Sequence, residues 1–389
     1  MRPPTCLAVL TALALLPAAH AGCVNSPDFD PATMMRTAEL QRGMTGYGLT
    51  VFQGVEITRF DVEILGVLSK WNLGEDLILI KITSGPVVER RTGIIGGMSG
   101  SPIFVNDKLI GAIAYGWGFL REPMGGVTPI ESMLDGWHEG SARAVLPTDH
   151  PLRGACVQGR WVDRVRVATT GPAFADARTL NLRPVGAPVS VAGFGQTGMK
   201  RLRELLEPFG MEAMPGPGPL RDPVPVELRP GAALGARLME GDFDVSAVGT
   251  LTWRDGDRIL AFGHPLLQAG TVSFPMSTGY IHDILPSMQH SNKASSPMQN
   301  IGAITLDGAW SIAGSVGAEA PMVPGHFTVT DRDRNLTREF NVRVAQQELL
   351  TPGLLMSALS SALDATYYAG SDGIGALDFE LCGDQGTII

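Results

Sequence analysis

Short apolar stretches separated by turn residues recur in two parts of the chain, on either side of a proline-rich segment at 214–228. Before this segment, DLILIKIT and KLIGAIAYG have the character of buried strands, and the Asn-Asp pair at 106–107 is typical of a hairpin turn. After it, Asp-Gly pairs at 255–256 and 307–308 interrupt further apolar stretches. With 48 glycines and 28 prolines, the chain is rich in turns, so we expect a mainly β protein built as two barrels or a sandwich.

The boundaries of these patterns divide the chain into six predicted parts. They are a signal peptide at 1–21, a polar lead-in at 22–42, a first β-rich half at 43–140, a mixed insert with the proline-rich linker at 141–228, a second β-rich half at 229–335, and a C-terminal strand and helix at 336–389. Helices are expected in TPIESMLDGWHEG, in MKRLRELLEPFGM and in LLTPGLLMSALSSAL.

The first residues have the order of a secretion signal. Arg2 precedes an apolar stretch at 6–16, and small residues ending at Ala21 follow. This predicts cleavage after Ala21 and a secreted or periplasmic mature protein. Cys23 would also suit a lipoprotein signal, but His20 stands where such signals carry leucine, so lipidation is the less favoured interpretation. The apolar stretch is short for a membrane span and none of eighteen residues occurs elsewhere, so we expect no membrane span.

Charge and cysteine content narrow the classes of function. The net charge of −9 and the lack of long basic stretches argue against nucleic acid as a partner. Export would place Cys23, Cys156 and Cys382 in an oxidising compartment, where two can pair, and Cys156 with Cys382 is the favoured disulfide. The spacing of the cysteines does not fit zinc ligands, so neither a metal nor a cofactor is predicted.

One glycine-rich stretch, GGMSGSPIF at 96–104, has the residues of a nucleophilic serine site. Glycines on both sides of Ser99 let the backbone turn tightly and direct its amides to one point. Ser99 would be the nucleophile, and the amides of Gly97 and Ser99 would form the oxyanion hole. The residue types follow the Gly-x-Ser-Gly-[Gly/Ser]-Pro pattern of chymotrypsin-like peptidases. Taken alone, the same stretch is also compatible with a simple Gly/Ser turn in a hairpin.

The surrounding segments resemble the SpoIVB-type family of serine peptidases. The first is GIIGGMSGSPIFVNDKLIGAIAYG, which resembles the family segment whose serine is the nucleophile, and the resemblance places that role on Ser99. The second is AVGTLTWRDGDRILAFGHPLL, which resembles the segment with the general base and places that role on His264. The two halves occur in reversed order relative to better-known members. The resemblance implies a chymotrypsin-like double β-barrel, here with a mixed α/β insert between the halves.

The third member of the triad departs from the family pattern in this sequence. The family has an aspartate fifteen residues before the nucleophile, and the matching position here is Ser84. Ser84 could orient the imidazole but could not supply a negative charge. The alternatives are another carboxylate, with Asp76 and Asp283 as candidates, or weak or lost activity.

The resemblance therefore predicts an exported serine endopeptidase. It would hydrolyse peptide bonds of protein or peptide substrates through an acyl-enzyme on Ser99, with His264 as the general base. Because relatives regulate by cutting, the expected substrates include the chain itself. The alternative prediction is a non-catalytic secreted binding or regulatory module on a peptidase scaffold, because Ser84 replaces the expected acid.

Overall fold

The computed structural model describes residues 26–72, 75–116, 122–139, 150–157, 160–167, 175–185, 188–287, 290–367, 376, 381–383 and 386–388. The predicted signal peptide and Cys23 lie outside these residues. The side chains of Cys156 and Cys382 lie outside the description as well, so their disulfide stays a prediction.

Six strands of the first β-rich half close into a barrel. They are β1 (Thr45–Val51), β2 (Ile57–Asn72), β3 (Glu75–Ile82), β4 (Pro102–Val105), β5 (Lys108–Gly116) and β6 (Met124–Pro129). They pair in the order β4-β1-β2-β3-β6-β5, and β5 pairs again with β4. Asn106 and Asp107 both have positive φ, 51° and 59°, as the predicted hairpin turn between β4 and β5 requires. Helix α1 (Pro86–Glu89) follows β3, and the predicted helix α2 (Ile130–Glu139) follows β6.

The insert contains both strands and a helix. Its elements are β7 (His150–Val157), β8 (Arg160–Val167), β9 (Thr179–Pro184), β10 (Val189–Ala192), α3 (Gln196–Leu206) and β11 (Ala213–Pro215), and short 3-10 turns lie at Thr37–Glu39 and Glu207–Phe209. Strand β9 pairs with β5, so the first sheet continues into the insert. Helix α3 ends within the predicted helical segment and buries one face, with Met199, Leu202 and Leu206.

A second set of six strands also closes on itself. These strands are β12 (Ala233–Gly241), β13 (Asp244–Asp255), β14 (Arg258–Ala261), β15 (Gly270–Leu285), β16 (Asn292–Asp307) and β17 (Ile312–Val316). Their order is β13-β14-β17-β16-β15-β12, and β12 pairs again with β13. The remaining elements are β18 (Met322–Asp331), β19 (Leu336–Ala345), α4 (Thr351–Thr366), β20 (Leu381–Gly383) and β21 (Gly386–Ile388). The predicted C-terminal strand is β19, and it joins the second sheet beside β12.

The two barrels are packed together through a shared apolar cluster. Each barrel encloses its own core, and a further cluster joins Leu109 of β5 and Leu134 of α2 to Leu260 of β14. The backbones also meet directly, because Gly54 pairs with Ile281. The protein is therefore mainly β, with two barrels and a mixed insert, as the sequence predicts. In the part of the chain that the structure describes, no helix combines the length and apolar character needed to cross a bilayer.

Candidate functional site at the junction of the two barrels

The turn that carries Ser99 lies where the first barrel touches the second. Gly97 and Gly100 have φ values of 92° and 89°, a conformation that glycine adopts without strain. The turn is fixed to the second barrel on both sides. Thr250 of β13 donates its amide to the Ser99 carbonyl at 2.8 Å, and Lys293 of β16 donates its amide to the Gly96 carbonyl at 3.0 Å.

The backbone amides of this turn fall into two sets. Four of them donate to backbone carbonyls at 2.8 to 2.9 Å, namely Gly96 to Ser291, Met98 to Ile95, Gly100 to Ile113, and Ser101 to Met98. The amides of Gly97 and Ser99 donate to no acceptor among the described residues, although both residues are buried. Because buried amides are nearly always hydrogen-bonded, two such amides on alternate residues of one turn indicate a place for an outside acceptor.

The hydroxyl of Ser99 also lacks a partner among the described residues. Ser99 is fully buried, and its Oγ has no hydrogen-bond partner within the described ranges. A hydroxyl that is withdrawn from water without a partner costs about 1–3 kcal/mol. Three unsatisfied polar groups, two amides and one hydroxyl, thus lie within three residues of each other.

His264 lies in a tight turn that follows β14. Phe262 and Gly263 both have positive φ, 70° and 71°, and this turn brings the ring of His264 into the interior. Its Nδ1 lies 2.6 Å from the Pro265 carbonyl oxygen, and its Nε2 lies 2.8 Å from the Val185 carbonyl oxygen. Burial lowers the pKa of His264, although the two carbonyls favour the protonated ring and oppose that change.

A buried carboxylate holds the loop that follows His264. Asp307 accepts the amides of Leu266 and Leu267 at 2.7 Å and that of Ala269 at 3.1 Å. Burial raises the pKa of Asp307, and the bonds from the loop amides oppose this. In the sequence Asp307 has the character of one half of a hairpin turn, and in the fold it also fixes the position of the histidine loop.

The Ser99 turn and the His264 turn approach the same backbone group. Gly100 donates its amide to the Ile113 carbonyl at 2.8 Å, and a methyl group added to Gly263 would lie 3.1 Å from the same oxygen. In addition, Thr128 Oγ1 donates to the Gly263 carbonyl at 2.7 Å. No hydrogen bond joins Ser99 Oγ to the imidazole in the described structure, where Val185 occupies Nε2 instead.

None of the three side chains considered for the third position bonds to His264. Ser84 Oγ donates to the Asp61 carboxylate at 3.0 Å and accepts the Asp61 amide at 2.8 Å. Asp76 accepts the Lys70 amide at 2.9 Å. Asp283 is paired with an arginine, Arg90, at 2.7 Å.

The group at Nδ1 of His264 is instead the Pro265 carbonyl, which a motif search for carboxylates cannot find. Among the described residues, no group of three or more His, Cys, Asp or Glu side chains could hold a metal ion.

A buried lysine completes the site, and the sequence offers no signal for it. Lys293 lies in HSNKASS, which has the composition of a surface segment, yet only 2% of the residue is exposed. Its Nζ lies 2.8 Å from Thr50 Oγ1 and 3.1 Å from the Gly97 carbonyl oxygen. Thr250 Oγ1 donates to the same carbonyl at 3.0 Å.

Two closed six-stranded barrels with a serine turn at their junction define a double β-barrel protein of the chymotrypsin-like class. Residues 24–134 match the SpoIVB peptidase S55 family. The match covers the first barrel and Ser99, and for these residues it confirms the family predicted from the motifs. The match ends before the second barrel, so the role of His264 and the reversed order of the halves stay predictions. No curated protein and no solved structure gives a significant match to the chain.

Proposed function

We propose that the protein is an exported serine endopeptidase in which Ser99 is the nucleophile and His264 is the general base. The family match supports a serine peptidase function in general. The single observation that carries the proposal is the unsatisfied turn itself, since the amides of Gly97 and Ser99 and the Ser99 hydroxyl are buried without partners among the described residues.

The amides of Gly97 and Ser99, which have no acceptor in the described part of the chain, suit an oxyanion hole. When Ser99 Oγ attacks a peptide carbonyl, its proton passes to His264 and the carbonyl oxygen gains a negative charge. The amides of Gly97 and Ser99 would donate to that oxygen, which supplies each of them with the acceptor it lacks. The proton then passes from His264 to the leaving amine, and water hydrolyses the acyl-enzyme in a second round of the same steps.

The contacts of His264 are compatible with a base that needs no aspartate. A neutral imidazole carries one N–H and one lone pair, so it cannot donate to both the Pro265 and the Val185 carbonyls. With the proton on Nδ1 and donated to Pro265, the lone pair of Nε2 faces the Val185 oxygen, which is repulsive. Replacing that oxygen with the Ser99 hydroxyl removes the repulsion and forms the catalytic hydrogen bond. A carbonyl sets the tautomer but adds no full negative charge, so the base is weaker than that of a complete triad.

The substrate class follows from the family, and the location follows from the sequence. Protein or peptide substrates are expected for a peptidase, with self-processing as a special case. The segment at 1–21 supports export, and no cofactor is required for this chemistry.

A second candidate function is a non-catalytic binding module on the same scaffold. The observation that favours it is the engagement of both His264 nitrogens by backbone carbonyls while Ser99 is fully buried. In this case the Val185 contact would be permanent, and the serine would never meet its base.

Labelling with a fluorophosphonate probe separates the two candidates. The mature chain from residue 22 onward is compared with Ser99→Ala and with the matched control Ser101→Ala. Ser101 is suitable because it is equally buried and its Oγ also has no partner in the described structure. We expect wild type and Ser101→Ala to be labelled and Ser99→Ala to stay unlabelled. An unlabelled wild type, or labelling that persists in Ser99→Ala, would overturn the peptidase proposal.

A further inference from the structure

Lys293 is a buried lysine that has no part in the proposed chemistry. It is the second residue of β16 and reaches the contact between the barrels, where its Nζ bonds to Thr50 Oγ1 and to the Gly97 carbonyl. The ring of Phe52 lies 5.8 Å from Nζ. No carboxylate bonds to it within the described ranges, and burial alone lowers the pKa of Lys293 to about 7.

The two hydrogen bonds from Lys293 reach the peptide groups on both sides of Gly97. Its backbone amide donates to the Gly96 carbonyl at 3.0 Å, which orients the Gly96–Gly97 peptide. Its Nζ donates to the Gly97 carbonyl at 3.1 Å, which orients the Gly97–Met98 peptide. Gly97 has no side chain and a φ of 92°, so these bonds restrain a residue that otherwise has wide conformational freedom.

The direction of the Gly97 amide follows from this arrangement. In a trans peptide the N–H points away from the C=O of the same group. Because the Gly96 carbonyl points toward β16, the Gly97 N–H points away from β16, and it is one of the two amides without a partner in the described structure.

We propose that Lys293 is a positioning residue that holds the Gly97 amide in the orientation of an oxyanion-hole donor. This inference rests on the proposed function. Among the described residues Lys293 makes no hydrogen bond to Ser99, and it acts through the carbonyls of Gly96, by its main-chain amide, and Gly97, by its Nζ. Thr250 supports this arrangement, because its hydroxyl donates to the Gly97 carbonyl from β13 of the same barrel.

The close packing of the two residues supports the assignment. A methyl group placed on Gly97 would lie 3.1 Å from Lys293 Cδ and 3.4 Å from its Cβ and Cγ. The side chain therefore lies along the backbone of Gly97 for most of its length. A shorter or an apolar side chain would leave the Gly97 carbonyl with only the Thr250 hydroxyl.

The test measures two constants of fluorophosphonate inactivation, the maximal rate kinact and the half-saturation concentration KI. Lys293→Met keeps the main-chain bond to the Gly96 carbonyl and removes only the Nζ bond to the Gly97 carbonyl. We expect kinact to fall about threefold to tenfold, because the phosphonyl oxygen occupies the oxyanion hole during the reaction. KI should stay within about twofold, because initial binding of the probe does not use the oxyanion. A purely structural role would instead lower thermal stability and leave kinact of the folded fraction unchanged.

A matched pair of threonine variants keeps the test decisive if Lys293→Met does not fold. Thr250→Val removes a buried hydroxyl from the Gly97 carbonyl, and Thr252→Val removes one from the Gly100 carbonyl at 2.7 Å on the same strand. We expect kinact to fall about threefold to tenfold in Thr250→Val and to be unchanged in Thr252→Val. This inference alone is overturned if Lys293→Met and wild type have equal kinact values. If Lys293→Met is unfolded, equal kinact values for the two threonine variants overturn it instead. An unlabelled wild type overturns the proposed function and this inference with it.

Discussion

Replacing Lys293 with methionine should stabilise the folded protein while it weakens the reaction. Burial moves the pKa of Lys293 from 10.5 to about 7, which means that the fold disfavours the charged amine. Since one pKa unit corresponds to about 1.4 kcal/mol, the buried amine lowers the free energy of unfolding by about 5 kcal/mol below pH 7.

Part of the stability gained by removing the buried amine is offset by the loss of its hydrogen bonds. Methionine has a similar volume but leaves Thr50 Oγ1 and the Gly97 carbonyl with one donor fewer, which costs about 1–3 kcal/mol. Thr250 Oγ1 still lies 3.3 Å from Thr50 Oγ1 and 3.0 Å from the Gly97 oxygen, so each of these groups keeps one hydrogen-bond partner. The expected net gain is therefore about 2–4 kcal/mol at neutral pH.

The dependence on pH has a definite sign. Between about pH 7 and 10.5 the unfolded chain binds one more proton at Lys293 than the folded chain does, so wild-type stability rises with pH in this window. Lys293→Met lacks this slope, so its advantage should be largest below pH 7 and should vanish between about pH 8.5 and 10, where the shrinking penalty equals the cost of the lost hydrogen bonds.

Urea unfolding of wild type and Lys293→Met at several pH values measures the effect, with Lys200→Met as the control. Lys200 is exposed on α3, so its replacement should alter neither the stability nor its slope with pH. If the unfolding free energies of wild type and Lys293→Met run parallel across this pH range, the buried-amine reasoning is refuted.

Three further predictions concern the site. Gly97→Ala forces a methyl group against the buried Lys293 side chain at a φ of 92°, so the rate of labelling should fall about 100-fold. The control Gly43→Ala has a similar φ of 86° but open space around the added methyl group, so it should be labelled like wild type. Ser84→Asp restores the acid of the family but places it beside Asp61, so labelling should change by less than about twofold, and a tenfold rise would show that the acid serves the base. Burial lowers the pKa of His264 below 6.5, so the labelling rate should stay constant on acidification to that pH and fall only below it, and a midpoint above 6.5 would contradict the assignment.

Much of the fold could be predicted because its signals are local. The turn at 106–107 depends on the φ preferences of two neighbouring residues, and the strand DLILIKI depends on its own apolar content. The Ser99 turn belongs to the same group, since its glycines adopt the positive φ values that the sequence permits. The family assignment of residues 24–134 follows from such contiguous segments.

The surroundings of the predicted residues could not be derived in this way. Val185 and Pro265 contact His264 through backbone carbonyls, and every residue carries such a carbonyl, so no sequence motif can identify these two. Asp307 has the local pattern of a turn residue, and only the packing of the loop at 266–269 over β16 makes it a buried acceptor.

The sequence by itself determined the mainly β architecture, the serine turn and the family of the first barrel, because these depend on residues that are close along the chain. The tertiary structure alone decided that Ser84 bonds to Asp61 and not to His264, and that the amides of Gly97 and Ser99 have no acceptor among the described residues. It also decided the burial of Lys293, whose contacts reach across 196 residues to Gly97 and across 243 residues to Thr50. Such contacts exist only after two closed barrels have packed together, and no local pattern records them.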